Sequence, residues 1–162
     1  MTIIRPATAA DLPNLLPLRR ALWDAMRVKD HVAETAWLAG VGSTVGSSAG
    51  GPPPSTLPLT ILVAEAGGVV VGFIEVGLRS HAEACDPRRP VGYVEAWQVA
   101  DAHQGRGVGR ALMAAAEAWC RAQGAVELAS DTWLDHADAH RAHLALGFAE
   151  VERCVHYRKP LA

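Results

Sequence analysis

The 162-residue sequence predicts one α/β (α+β) domain spanning residues 1–162, and three observations predict it. β-rich and helix-periodic segments follow one another in the order β-α-α-β-β-β-α-β-α-β-β. A glycine pair, Gly67-Gly68, joins two β-rich runs as a hairpin turn would. A second glycine-rich stretch follows a strand and opens a helix around Gly105–Gly109. Half of the residues are apolar and one fifth are charged, which supplies a core and excludes a disordered chain.

The elements can be justified in order. Thr2–Arg5 reads as a short strand, and Thr8-Ala9-Ala10-Asp11 supplies helix-starting chemistry. From Leu12 to about Met26, the residues Leu15, Leu18, Leu22 and Met26 recur three or four apart, as one face of a helix requires. A second helix is expected over Asp30–Ala39. Gly40–Pro58 holds Gly-Ser steps and Gly50-Gly51-Pro52-Pro53-Pro54 without a charged residue, so it is expected to be a flexible loop. Leu59–Ala66 and Val69–Arg79 form the hairpin strands, Ser80–Pro90 a polar loop, and Val91–Ala100 a further strand. Gly107–Gln123 is helical, with Val108, Leu112, Ala115, Ala116 and Trp119 on one face and Gly124 at its end. Val126–Ser130 is a short strand, and His136–Leu146 a helix stopped by Gly147. Phe148–Val155 and His156–Lys159 are expected to close the chain as strands.

Several classes of function are disfavoured. The formal net charge is −2, which argues against holding nucleic acid or anionic lipid by bulk charge. No apolar run approaches the ~18–20 residues of a membrane span, and Met1-Thr2-Ile3-Ile4-Arg5-Pro6 offers no apolar signal core with a basic flank. The three cysteines, Cys85, Cys120 and Cys154, form no metal or redox motif, so a reducing cytoplasm fits them.

The most informative stretch is Gln104-Gly105-Arg106-Gly107-Val108-Gly109-Arg110. Glycines let the backbone approach a ligand and turn several N–H groups toward one point. A helix N-terminus adds its own N–H groups and the positive end of the dipole. Arg106 and Arg110 add charge, and the whole reads as a pyrophosphate cradle. A dinucleotide fingerprint needs different glycine spacing after the first strand, and a Walker loop needs a lysine that is absent here.

This pattern, following Glu95-Ala96-Trp97-Gln98-Val99, resembles motif A of the GNAT superfamily of N-acetyltransferases. Within it the chain resembles the aminoglycoside 6'-N-acetyltransferases. The residues that carry the likeness are Leu18-Arg19-Arg20-Ala21-Leu22-Trp23, Pro90-Val91-Gly92-Tyr93-Val94-Glu95, Ala129-Ser130-Asp131, His143-Leu144-Ala145-Leu146-Gly147-Phe148 and Glu150-Val151-Glu152-Arg153-Cys154-Val155. Gly40–Pro58 departs from the pattern, and Ser80–Pro90 lacks a tyrosine that family members place there. The resemblance implies a mixed, mostly antiparallel sheet splayed between strands 4 and 5, flanked by about four helices. It implies acetyl-CoA as co-substrate, an aminoglycoside 6'-amine as acceptor and a homodimer, with another primary amine (a protein N-terminus, a polyamine or a small metabolite) as the alternative acceptor.

The resemblance also implies roles for residues. The backbone of Trp97, Gln98 and Val99 would pair with the pantetheine arm, and Gln104, Gly105, Arg106, Gly107, Val108, Gly109 and Arg110 would hold the pyrophosphate. A bulge where strand 4 leaves strand 5 would present N–H groups to the thioester carbonyl. Glu95 and Asp131 would bind a cationic amine and take its proton, directly or through water. Trp23 is either a wall for the aminosugar ring or a buried helix residue, and Glu152 is either a further substrate acid or a solvated strand acid. His143 stands where the superfamily has its proton donor to the coenzyme sulfur, and is equally readable as a helix histidine without catalytic duty. His136 stands in the place of an Asn that reaches the pantetheine. His136, His140 and His143 would share a helix face, but no cysteine or HExxH pattern joins them, so no metal is expected.

Overall fold

The computed structural model describes residues 1–25, 57–157 and 159–161, and omits the side chains of residues 23–25. The expected helix over Asp30–Ala39, most of the loop 40–58, Met26 and the Trp23 side chain lie outside the described residues. Two compact units result, Met1–Asp131 and Thr132–Ala162.

The described residues of the first unit form a five-stranded sheet with two helices. Its elements are β1 (Thr2–Pro6), α1 (Leu12–Ala25), β2 (Leu59–Ala66), β3 (Val69–Arg79), β4 (Val91–Val99), α2 (Val108–Ala122) and β5 (Leu128–Ser130). The spatial order is β1-β2-β3-β4-β5, antiparallel except for the parallel pair β4–β5. The sequence boundaries of β2 and β3 coincide with those observed, because Gly67 and Gly68 both adopt positive φ (60° and 79°) and close the hairpin on the Ala66–Val69 pair. Val126 and Glu127 fall outside β5, and Val126 is solvent-exposed.

α1 is entered through a 3-10 turn at Ala9–Asp11. There Asp11 Oδ2 accepts from the Thr8 N–H at 2.7 Å and the Thr8 hydroxyl at 2.9 Å. Arg5 on β1 donates to both Asp11 carboxylate oxygens and to Glu65 on β2, fixing the entry to the sheet edge. The paired guanidinium holds the Asp11 carboxyl well below the usual carboxylate range.

The two helices cover opposite faces. Leu15 and Leu22 of α1 pack with Ile61, Val63, Phe73 and Ala96. On the other face, Leu112 of α2 lies against Gly72, and Cys120 against Gly92. A Cβ at Gly92 would sit 2.6 Å from the buried Cys120 Sγ and 3.0 Å from Leu128 Cδ1, so only glycine lets α2 and β4 approach this closely. Gly92→Ala is therefore expected to cost about 1–3 kcal/mol by overpacking. Urea melts check this: Cys120→Ala in the same background should recover part of the loss, and a Gly92→Ala protein as stable as the parent refutes it.

The described residues of the second unit hold one helix, α3 (Ala137–Ala145), in which no residue is buried. The strands expected at Phe148–Val155 and His156–Lys159 are not present among the described residues. Val151, Val155 and Tyr157 are 60%, 66% and 94% exposed, and the described residues of this unit include no strand to accept their ladder bonds. β-propensity alone does not form a strand without a partner.

Candidate active site

The turn after β4 is built first. Val99 ends the strand, a 3-10 turn covers Asp101–His103, and Gln104 Nε2 donates to the Val99 carbonyl at 3.0 Å and to Asp101 Oδ1 at 3.1 Å. The Gln104 side chain thus closes the turn. Gly105 and Gly107 have φ of 69° and 82°, the left-handed region that favours glycine, and a Cβ on either would meet nothing within 4 Å. Their open side is room for a ligand. Gly109 answers a different need, since a Cβ there would lie 2.8 Å from Trp97 Cζ2. Trp97 packs under the first turn of α2, so its side chain is structural.

Gly107 caps α2, and Ala111 N–H donates to its carbonyl at 3.0 Å. The N–H groups of Val108, Gly109 and Arg110 precede that first helical bond and belong to the end where a helix binds anions. Arg106 and Arg110 are exposed beside it. The donor set suits a pyrophosphate: open glycine backbone, a helix N-terminus and two cations.

The second part of the site is a bulge. β5 pairs with Gly92, Tyr93 and Val94 and stops there, whereas β4 runs on to Val99. Across the other edge, Glu75 pairs with Ala96 but Val76 with Val94, so Glu95 is the extra residue. The bulge also rephases the strand. Gly92 and Trp97 are five apart yet both face α2, and Ala96 joins the α1 cluster. Beyond Val94, among the described residues, β4 has a sheet partner on its β3 side only.

Around the bulge, Tyr93 brings the two acids into one cluster. Arg79, at the end of β3, donates from Nε to Glu95 Oε1 at 2.9 Å and from Nη2 to Glu95 Oε2 at 2.5 Å. Its Cζ lies 3.3 Å from the centroid of the Tyr93 ring. Burial raises the Tyr93 phenol pKa, and the charge and hydrogen bond of Asp131 raise it further, with the Glu95 charge adding to this and Arg79 opposing it. Ser130, the residue before Asp131, donates from Oγ to the Val94 carbonyl at 3.4 Å and ties the end of β5 to the bulge. Asp131 and Glu95 are both exposed.

Arg79 and Tyr93 had no role in the reading of the sequence. Alternation along β3 does place Glu75, Gly77 and Arg79 on one face, but not what they face. A second missed pair joins α1 to β3. Arg19 on α1 donates from Nε to Glu75 Oε1 at 2.5 Å and from Nη2 to Glu75 Oε2 at 2.8 Å, and both side chains are essentially inaccessible (0% and 1%). The signal was legible in part: Arg19 falls four residues after Leu15 and three before Leu22, on the apolar stripe.

In the second unit, His136 is the N-cap of α3 and His143 lies in its last turn. The Ala139 carbonyl lies 2.7 Å from His143 Nδ1, and the ring meets Phe148 edge-on at 5.3 Å. A carbonyl only accepts, so Nδ1 carries the hydrogen, and Nε2 can release a proton only from the imidazolium form. Glu152 is exposed on the irregular segment after α3.

Comparison with known proteins adds to this geometry. The profile of the acetyltransferase (GNAT) family matches residues 48–148. An aminoglycoside N(6')-acetyltransferase type 1 of Stenotrophomonas maltophilia is 40% identical over 98% of this chain and 93% of its own length. That of Klebsiella aerogenes is 35% identical over 98% and 97%. Among solved structures, AAC(6')-Iy in complex with the bisubstrate analogue CoA-S-monomethyl-acetylneamine is 30% identical, covers 99% of both chains and superposes with a TM-score of 0.78.

Proposed function

Because the chain belongs to the GNAT acetyltransferase family, we infer that it transfers an acetyl group from acetyl-CoA to the 6'-amine of aminoglycosides and so confers resistance to them. The observation that carries the reading is the bulge at Glu95, which sets two acids around Tyr93 on the strand that continues past its last β5 partner.

The residues then take these roles. Gly105, Gly107 and the α2 N-terminus, with Arg106 and Arg110, hold the pyrophosphate of the coenzyme. The edge of Trp97, Gln98 and Val99 opposite β3 receives the pantetheine as an added strand. The ammonium of the substrate binds the acids and loses a proton to Asp131, with Glu95 as second acid, directly or through water. The amine lone pair attacks the thioester carbonyl carbon, the C–S bond breaks, and the nitrogen releases its second proton to water as the amide forms. The departing thiolate takes a proton from His143 in its imidazolium form. His136 is assigned to the pantetheine, and Trp23 and Glu152 to the aminosugar. Holding both reactants in register supplies much of the acceleration, since positioning alone is worth about 7–11 kcal/mol.

The proposal includes a homodimer in the cytoplasm. Trp133, Leu134, Leu144, Val151 and Val155 are each more than half exposed in the second unit, which supports an interface there. None of the described helices is long and apolar enough to cross a membrane.

A thiol-release assay with acetyl-CoA tests the activity. Aminoglycosides bearing a 6'-amine are expected to release free thiol, and analogues lacking that amine are not. Equal release from both overturns the regiospecific assignment.

A further inference from the structure

We propose that Arg79 is a specificity-determining residue whose guanidinium occupies the place of the substrate's ammonium, between Glu95 and the face of Tyr93, until a cationic aminoglycoside displaces it. The inference rests on the reading of Glu95 and Asp131 as the acceptor acids and adds a residue that reading does not use.

Three observations carry it. First, the geometry is that of a bound cation: two hydrogen bonds to one carboxylate and a stacking contact at 3.3 Å. An ammonium and an aromatic ring make the same pair of contacts, so substrate and guanidinium compete for one place. Second, the pair is loose. The side chains of Arg79 and Glu95 are 43% and 34% exposed, and exposed ion pairs contribute little, so exchange is cheap. The buried Arg19–Glu75 pair nearby, at 0% and 1%, could not exchange in this way. Third, Arg79 feels Asp131 as well as Glu95. One cation set against two acids leaves the cluster a single net negative charge, and releasing Arg79 restores both charges to a polycationic substrate.

Arg79 thereby sets how much positive charge an acceptor must bring. A neutral hydroxyl cannot replace the guanidinium, and a single weakly held ammonium does so poorly.

Calorimetric Kd values and steady-state kinetics, with a 6'-amino aminoglycoside and the full-length protein, test this. Arg79→Gln is expected to lower Kd and KM for the aminoglycoside about 5-fold at low salt, the scale set by an exposed ion pair. The gain should appear in KM rather than kcat and shrink as salt is raised. Arg79→Lys, which keeps a cation but loses the fork and the stacking, should fall between Gln and the parent. An unchanged or raised KM in Arg79→Gln, or a fall in its kcat, overturns the proposal and makes Arg79 a holder of Glu95. The two readings fail differently: a parent protein that neither binds nor acetylates any 6'-amino compound overturns the functional reading and this one together, whereas an active parent with an unimproved Gln variant overturns this one alone.

Discussion

Arg19→Met is expected to destabilise the protein by about 3–5 kcal/mol, the cost of breaking a buried ion pair from one side. The carboxylate of Glu75 is 1% exposed, and its two hydrogen bonds to the guanidinium help to offset its removal from water. Methionine fills the aliphatic volume but supplies no donor. For a chain of this size the change corresponds to a fall in Tm of about 6–20 °C. Thermal and urea melts read it directly. The double variant Arg19→Met/Glu75→Leu separates the charge from the packing. Because apolar replacement of both partners is often near neutral, it should regain most of the lost stability. A single variant as stable as the parent, or a double variant no better than the single, sinks this account. The pair also matters for function by position. Glu75 is the β3 residue opposite Ala96, one step from the bulge, and Arg19 anchors the helix that carries Trp23.

Asp131→Asn is expected to lower kcat/KM for aminoglycosides by about 10²–10⁴, the usual contribution of a positioned general base. Asparagine keeps an oxygen that can accept from the Tyr93 hydroxyl, so the cluster's geometry is preserved while its charge and basicity are lost. Asp131 is exposed at the end of β5, outside the apolar clusters, so the melting temperature should stay close to that of the parent. The KM for acetyl-CoA should change little, since the glycine turn lies on a different element. An unchanged turnover removes Asp131 from the role of base. A parallel loss of stability would mean that its carboxylate serves the fold.

Much of the frame was legible because it depends on short-range chemistry. The β2–β3 hairpin follows from alternating apolar residues and two adjacent glycines able to take positive φ. The α2 start follows from Gly105 and Gly107 in the left-handed region ahead of a strongly amphipathic stretch. The end strands were misread for the complementary reason. Val151, Val155 and Tyr157 have the composition of a strand, but a ladder needs a neighbour, and composition does not report one.

The sequence by itself determined the order of the described elements from β1 to α3, the glycine turn that opens α2 and the family of the chain, since each is written in residues close together along the backbone. Only the tertiary structure decided how the acids are held. Arg19 and Glu75 are 56 residues apart, and Arg79 and Glu95 16 apart. Side-chain periodicity says which face a residue takes, whereas its partner depends on the register between strands. Here one extra residue, Glu95, shifts that register, turns Ala96 toward α1 and Trp97 toward α2, and leaves its own carboxylate on the exposed cluster with Arg79 and Tyr93.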